Sequence, residues 1–181
     1  MKKLLLAAAL STAIIAPAAA SAQDPATSKN AAKYCKELRD GAGKPNFVSM
    51  FGTKKNAYGK CVSQTAKKDA TEDAAQAKKA KAEAVEECRA MKTPGSKNAF
   101  GKCVSEKAKA KKAAADKEDK AEKKDRINAA QTCKTAKKGD ADKFATDFGT
   151  KKNAFGKCVS KTAKENAAER KADDGETAAT A

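Results

Sequence analysis

A thirteen-residue phrase, FGTKKNAFGKCVS, runs from Phe148 to Ser160 and recurs as FGTKKNAYGKCVS from Phe51 to Ser63. A shorter copy, GSKNAFGKCVS, runs from Gly95 to Ser105. Each copy carries a cysteine near its end (Cys61, Cys103, Cys158), and another cysteine lies upstream of each (Cys35, Cys88, Cys133). Six cysteines in a secreted chain read as three disulfides, and the repetition favours the local pairs Cys35–Cys61, Cys88–Cys103 and Cys133–Cys158 among fifteen formal pairings. Closing loops of this length stabilises each by roughly 3–3.5 kcal/mol on chain-entropy arithmetic.

The N-terminus supports an oxidising destination. A basic Met1-Lys2-Lys3 start, an apolar run and the small-residue site Ala20-Ser21-Ala22 have the form of a secretory signal peptide over 1–22, cleaved after Ala22. The run contains Pro17 and is short for a spanning helix. The mature chain is therefore expected to be secreted or otherwise extracytoplasmic, with no transmembrane segment.

Such a chain has little with which to build a core. Leu38 is the only leucine after the leader, Ile127 the only isoleucine, and tryptophan is absent. Alanine supplies much of the hydrophobic fraction and buries little area. The expected fold is therefore all-α and elongated: three small disulfide-clasped helical repeats joined by long charged helices, with a disordered tail. The segments are a first helical repeat over 23–66, a charged linker over 67–84 and a short repeat over 85–108. A second linker over 109–126, a third repeat over 127–164 and a tail over 165–181 complete the chain.

Within a full repeat, Phe47 and Phe51, or Phe144 and Phe148, stand four apart on one face of a short helix. Gly52 and Gly149 then fit left-handed C-caps. Asn56, Asn98 and Asn153 suit the N-cap of the next helix, which in the third repeat carries Phe155, Cys158, Val159 and Thr162 on one side. Gly59, Gly101 and Gly156 fall inside that helix, where glycine costs about 1 kcal/mol against alanine, so a close approach by another backbone or ring is expected there. The middle repeat lacks the aromatic helix and reads as a simpler clasped hairpin. All eight aromatics lie within the repeats, which suggests three separate mini-cores. The linkers have neither glycine nor proline and are rich in helix formers. Asp116–Lys120, Asp119–Lys123 and Glu122–Arg126 are spaced for i, i+4 pairing, and any coiled-coil seam would be mostly alanine.

Charge is concentrated in the repeats. The chain carries +16 overall; residues 29–63 hold +6, 88–105 hold +4 and 129–163 hold +5, against −1 for 64–87 and +3 for 106–128. A basic surface attracts polyanions by counterion release and steering. The expected partner is an anionic cell-envelope polymer or other polyanion, contacted by Lys54, Lys55, Lys60, Lys97, Lys102, Lys151, Lys152 and Lys157. The alternatives are a passive spacer or envelope protein whose charge serves solubility, and an extracellular nucleic-acid-binding protein.

Catalytic readings find no support. Gly149 to Gly156 encloses six residues, and Lys157 is followed by Cys158, so the Walker A spacing and its hydroxyl are missing. The absence of histidine removes Ser-His and Cys-His pairs and the commonest zinc ligand. No CxxC is present, and Asp140, Asp142 and Asp147 lack the glycine and terminal glutamate of a calcium loop. Those acids suit a helix N-terminus instead. No catalytic residue, metal, cofactor, small-molecule substrate or drug-sized pocket is expected.

The (F)GTKKNA(F/Y)GKCVS unit, behind a signal peptide and separated by Ala/Lys-rich spacers, resembles repeats of a group of uncharacterised bacterial secreted proteins. The resemblance spans the three repeats, about half the mature chain. It implies no function and carries over no catalytic residue.

Overall fold

The computed structural model describes residues 25–52, 55–91 and 97–179; the leader expected over 1–22 lies outside them. Among the described residues the fold is entirely helical: α1 (Pro25–Ala42), α2 (Lys44–Phe51), α3 (Ala57–Glu87), α4 (Lys97–Gly139), α5 (Ala141–Phe148) and α6 (Ala154–Ala179). A short 3-10 turn, Arg89–Met91, follows α3.

Helix boundaries follow local chemistry. Asp140 caps α5, its carboxylate accepting the Lys143 backbone N–H at 2.8 Å, and Asp142 adds negative charge in the first turn. Pro45 sits in the first turn of α2, where its missing N–H costs nothing. Gly52 and Gly149 end α2 and α5 with φ of 102° and 86°. Their ψ values, −141° and 171°, place them in an extended region open essentially to glycine, rather than in the expected left-handed helical cap. Asn56 is the N-cap of α3, but its side chain makes no capping hydrogen bond. Asn98 falls inside α4, which starts one residue earlier.

All three local disulfides are present: Cys35–Cys61 ties α1 to α3, Cys88–Cys103 ties α3 to α4, and Cys133–Cys158 ties α4 to α6. The first and third share a further detail. Cys35 Sγ lies 3.7 Å from Thr65 Oγ1 and Cys133 Sγ 3.8 Å from Thr162 Oγ1, each threonine standing four residues past the downstream cysteine. In the short repeat that place is taken by Lys107.

Both spacers are helical and continuous with their repeats, α4 alone covering 43 residues or about 65 Å. They pack antiparallel against each other, burying Ala80 and Ala84 of α3. Their charges work between helices: Lys111 reaches Glu83 and Glu87, Lys112 reaches Asp73, and Lys123 reaches Asp69 at 2.7 Å. The three expected i, i+4 pairs do not form; Asp116 is held by Lys112, and Asp119 accepts from Gln76. Lys123 is taken by Asp69 across the seam, whereas Lys120 and Arg126 make no ion pair among the described residues.

The expected separate mini-cores do not occur. Tyr34, Leu38, Phe47 and Cys61 of the first repeat join Ala130, Cys133, Phe144, Phe155 and Val159 of the third in one buried cluster. Helix α1 runs parallel to the second half of α4, with Gly41 against Gln131 and Asn46 bonded to Lys137. Helix α2 reaches α6, where Met50 Cγ would stand 3.9 Å from a Cβ on Gly156. That is ordinary contact, and at Gly101 a Cβ would meet nothing, while Gly59 faces only its own Asn56. The helix glycines are thus not sites of close backbone or ring approach. Two repeats fuse because neither has enough apolar area alone.

The aromatic pairs behave as their spacing predicts, with ring centroids 4.8 Å apart for Phe47–Phe51 and 5.0 Å for Phe144–Phe148. The phrase aromatic itself differs between copies: Phe155 is buried, whereas Tyr58 is exposed, donates to the Ala32 carbonyl and lies beneath Arg39. The chain's end is consistent with the expected disordered tail, while helical packing runs on beyond residue 165. Helix α6 continues through Ala179, and Arg170 binds Glu118 through two bonds of 2.9 and 3.1 Å and the buried Asp125 at 3.2 Å. Residues 180–181 lie outside the described residues.

Candidate polyanion interface

Four spacer lysines, Lys107, Lys111, Lys112 and Lys123, meet acids across the α3–α4 seam. The Lys111 ammonium hydrogen-bonds Glu87, holding that carboxyl below its usual range, and its own proton is held more tightly in return. Asp116 and then Asp73 do the same for Lys112. Further along α4, the Arg170 guanidinium and then Lys171 pull the Glu118 carboxyl down to about 2.

Phrase lysines are left over. Lys55, Lys60, Lys102, Lys151, Lys152 and Lys157 are exposed, and none makes an ion pair among the described residues. Lys54 lies outside those residues, and Lys97 is described only as the first residue of α4. Their placement works against stability. Helices α3 and α6 have no acid in the first turn, and Lys60 and Lys157 stand where the helix dipole is already positive. Each such placement costs a few tenths of a kcal/mol and concentrates positive potential.

The fold brings two of the three lysine sets together. The loops before α3 and α6 both sit at the C-terminal end of α4, because Cys61 and Cys158 are clasped to neighbouring helices there. The third set is remote: Cys103 and Cys133 stand thirty residues apart on α4, about 45 Å.

Sequence reading missed a basic groove of about 660 Å³ between α2, α3, α4 and α6. Arg126, Lys157, Lys161 and Lys164 line it with Gln64, Asn153 and Ser160, above Met50 and Phe51, and no acid lines it. The signal for one wall was visible, since positions 157, 161 and 164 share a helix face. The other wall comes from residues 50, 51, 64 and 126, which only the fused core assembles. Open grooves of this volume also correct the expectation that no drug-sized concavity exists. A second, of about 620 Å³, is lined by Arg39, Lys44, Pro45, Phe47, Val48, Ala57 and Tyr58.

Among the described residues, no cluster of three or more His, Cys, Asp or Glu could hold a metal ion, and no helix is long and apolar enough to cross a membrane. Three formed disulfides and no free cysteine suit an oxidising, extracytoplasmic environment. No protein-family model matches the chain, and no curated protein or solved structure is found similar to it.

Proposed function

We propose that this protein is a non-enzymatic, secreted, basic repeat protein that binds anionic cell-envelope polymers. Its leader, removed after Ala22, delivers it to the compartment where its disulfides form. The observation that carries the reading is the position of the phrase lysines: Lys55, Lys60, Lys102, Lys151, Lys152 and Lys157 make no ion pair among the described residues, and Lys60 and Lys157 stand at helix starts where they do not help folding. A charge excess serving only solubility would have no reason to cluster at those helix starts. Two basic loops at one end and a third about 45 Å away would engage a long polymer at several points, each weak contact raising the effective concentration of the next.

The test is retention of the oxidised mature protein on anionic polymer beads across a salt series. Retention should fall steeply from ~10 mM to ~150 mM salt, as the Debye length shrinks from about 30 to 8 Å. It should fall further when Lys55, Lys60, Lys102, Lys151, Lys152 and Lys157 become glutamine. Salt-independent retention, or retention indifferent to those substitutions, would remove the proposal.

A further inference from the structure

Four of the grooves formed by the described residues differ in their linings. The groove beside Tyr34 mixes Asp69, Glu72, Asp119 and Glu122 with Lys68, Lys123 and Arg126, and Lys68–Glu72 and Lys123–Asp69 pair within it. The wider one along α1 and α4 is equally mixed. The pocket beside Tyr58 has two cations, but Arg39 is held by Asp40 at 3.3 Å and stacks on the Tyr58 ring. Of these four, the groove between α2 and α6 combines four cations with no acid in its lining. Arg126, Lys157 and Lys164 have no ion pair among the described residues, and Lys161 meets Glu165 only at 4.0 Å, on the exposed side of α6.

We propose that this groove is a binding site for an acidic polysaccharide, a chain of carboxylate-bearing sugars. The inference rests on the polyanion reading and gives it a place and a substrate class. Lys157, Lys161 and Lys164 rise along α6 in steps of about 6 and 4.5 Å, a spacing comparable to one sugar residue, so successive carboxylates of an extended chain meet successive ammonium groups. Arg126 closes the row from α4. Gln64, Asn153 and Ser160 supply both donors and acceptors, which suit sugar hydroxyls better than a row of bare phosphates. Met50 and Phe51 offer an apolar strip for the C–H face of a ring.

The site belongs to neither repeat alone. Met50, Phe51 and Gln64 come from the first, Asn153 to Lys164 from the third, and Arg126 from the linker between them. Of the phrase lysines only Lys157 takes part, beside the phrase residues Phe51, Asn153 and Ser160. The phrase thus lends polar and apolar contacts to the groove, while its loop lysines add unspecific attraction.

The experiment uses the full mature, oxidised protein and two probes, oligogalacturonate and a single-stranded DNA oligomer of equal charge, at physiological salt. The variant R126Q/K161Q/K164Q is compared with K55Q/K151Q/K152Q, which removes the same charge from the loops. The groove variant should weaken oligogalacturonate binding about tenfold or more and the loop variant about threefold or less, the latter being the unspecific share. S160W, which fills the groove without changing charge, should weaken oligogalacturonate binding at least about fivefold and leave DNA binding unchanged. Equal losses in the two triple variants, an inert S160W, or DNA binding as tight as oligogalacturonate would overturn the site while leaving polyanion binding intact. Loss of neither ligand in any variant would overturn both readings. Circular dichroism and intact disulfides establish that each variant is folded before binding is read.

Discussion

Leu38→Ala is the substitution that most directly tests whether two distant repeats share one core. Leu38 is fully buried on α1 and is the only leucine in the described chain. Truncation removes three carbons, about 2.4 kcal/mol at ~0.8 kcal/mol each, and the cavity left behind brings the cost to ~3–4 kcal/mol. Against a total stability on the order of 5–15 kcal/mol, that loss lowers the melting temperature visibly while the disulfides keep the chain closed. The decisive measurement is hydrogen exchange resolved by residue. In a shared core, protection should fall together in 31–42 and 57–66 of the first repeat and in 129–139 and 154–163 of the third, by about 10²- to 10³-fold. A loss of protection confined to the first repeat, with 154–163 unchanged, would refute the shared core and restore separate units.

Three further outcomes follow from the same structure. Replacing Cys88 and Cys103 by serine should cost the α3–α4 hairpin about 3 kcal/mol, because it opens the loop of 15-residue separation; exchange should then rise near residues 80–110 and stay unchanged around Phe155. Gly149→Ala forces a side chain into a positive-φ extended conformation and should destabilise by ~1–3 kcal/mol in thermal unfolding, whereas Gly101→Ala, in open space within α4, should stabilise by up to about 1 kcal/mol. Glu118, held at about 2 against an ordinary 4.5, contributes stability that is present above pH 4.5 and lost as pH falls toward 2. Partial exposure limits that contribution to ~1 kcal/mol, and Arg170→Gln should flatten the unfolding-midpoint profile over that window.

Local features were legible wherever a short-range rule decides. The disulfide pairing followed from the repetition, the Phe47–Phe51 and Phe144–Phe148 contacts from helical spacing, and the Asp140 cap from its place before α5. What was not legible depends on which helix lies beside which. Glu122 and Arg126 have ideal spacing for an ion pair and line one groove, yet no pair forms between them. Tyr58 and Phe155 occupy the same place in the phrase and have opposite burial, because only Phe155 faces the seam between the repeats. The repeat pattern specified each clasp and said nothing of the fusion.

The fusion gives the repetition a reason beyond duplication of a binding loop. The third repeat's equivalent of Met50 is Asp147, which is exposed, and the first repeat's equivalent of Gly156 is Gly59, also exposed. One repeat therefore presents an apolar knob to a glycine on the other, and the reciprocal faces are polar or empty. Stacking of this head-to-tail kind can continue unless the outer faces are capped, and a polar residue such as Asp147 offers no apolar knob for a next repeat. The short middle repeat, with no aromatic helix, has nothing to stack and is carried to the far end of α4 instead. Its lysines are thereby held some 45 Å from the paired loops by the length of one continuous helix. Glu83, Glu87, Asp73 and Asp69, paired with Lys111, Lys112 and Lys123, help to hold that helix against α3. Replacing Glu83, Glu87 and Asp73 by their amides would free those lysines, so polymer binding should strengthen while the hairpin weakens. The opposite signs of the two effects separate charge placed for folding from charge placed for a partner.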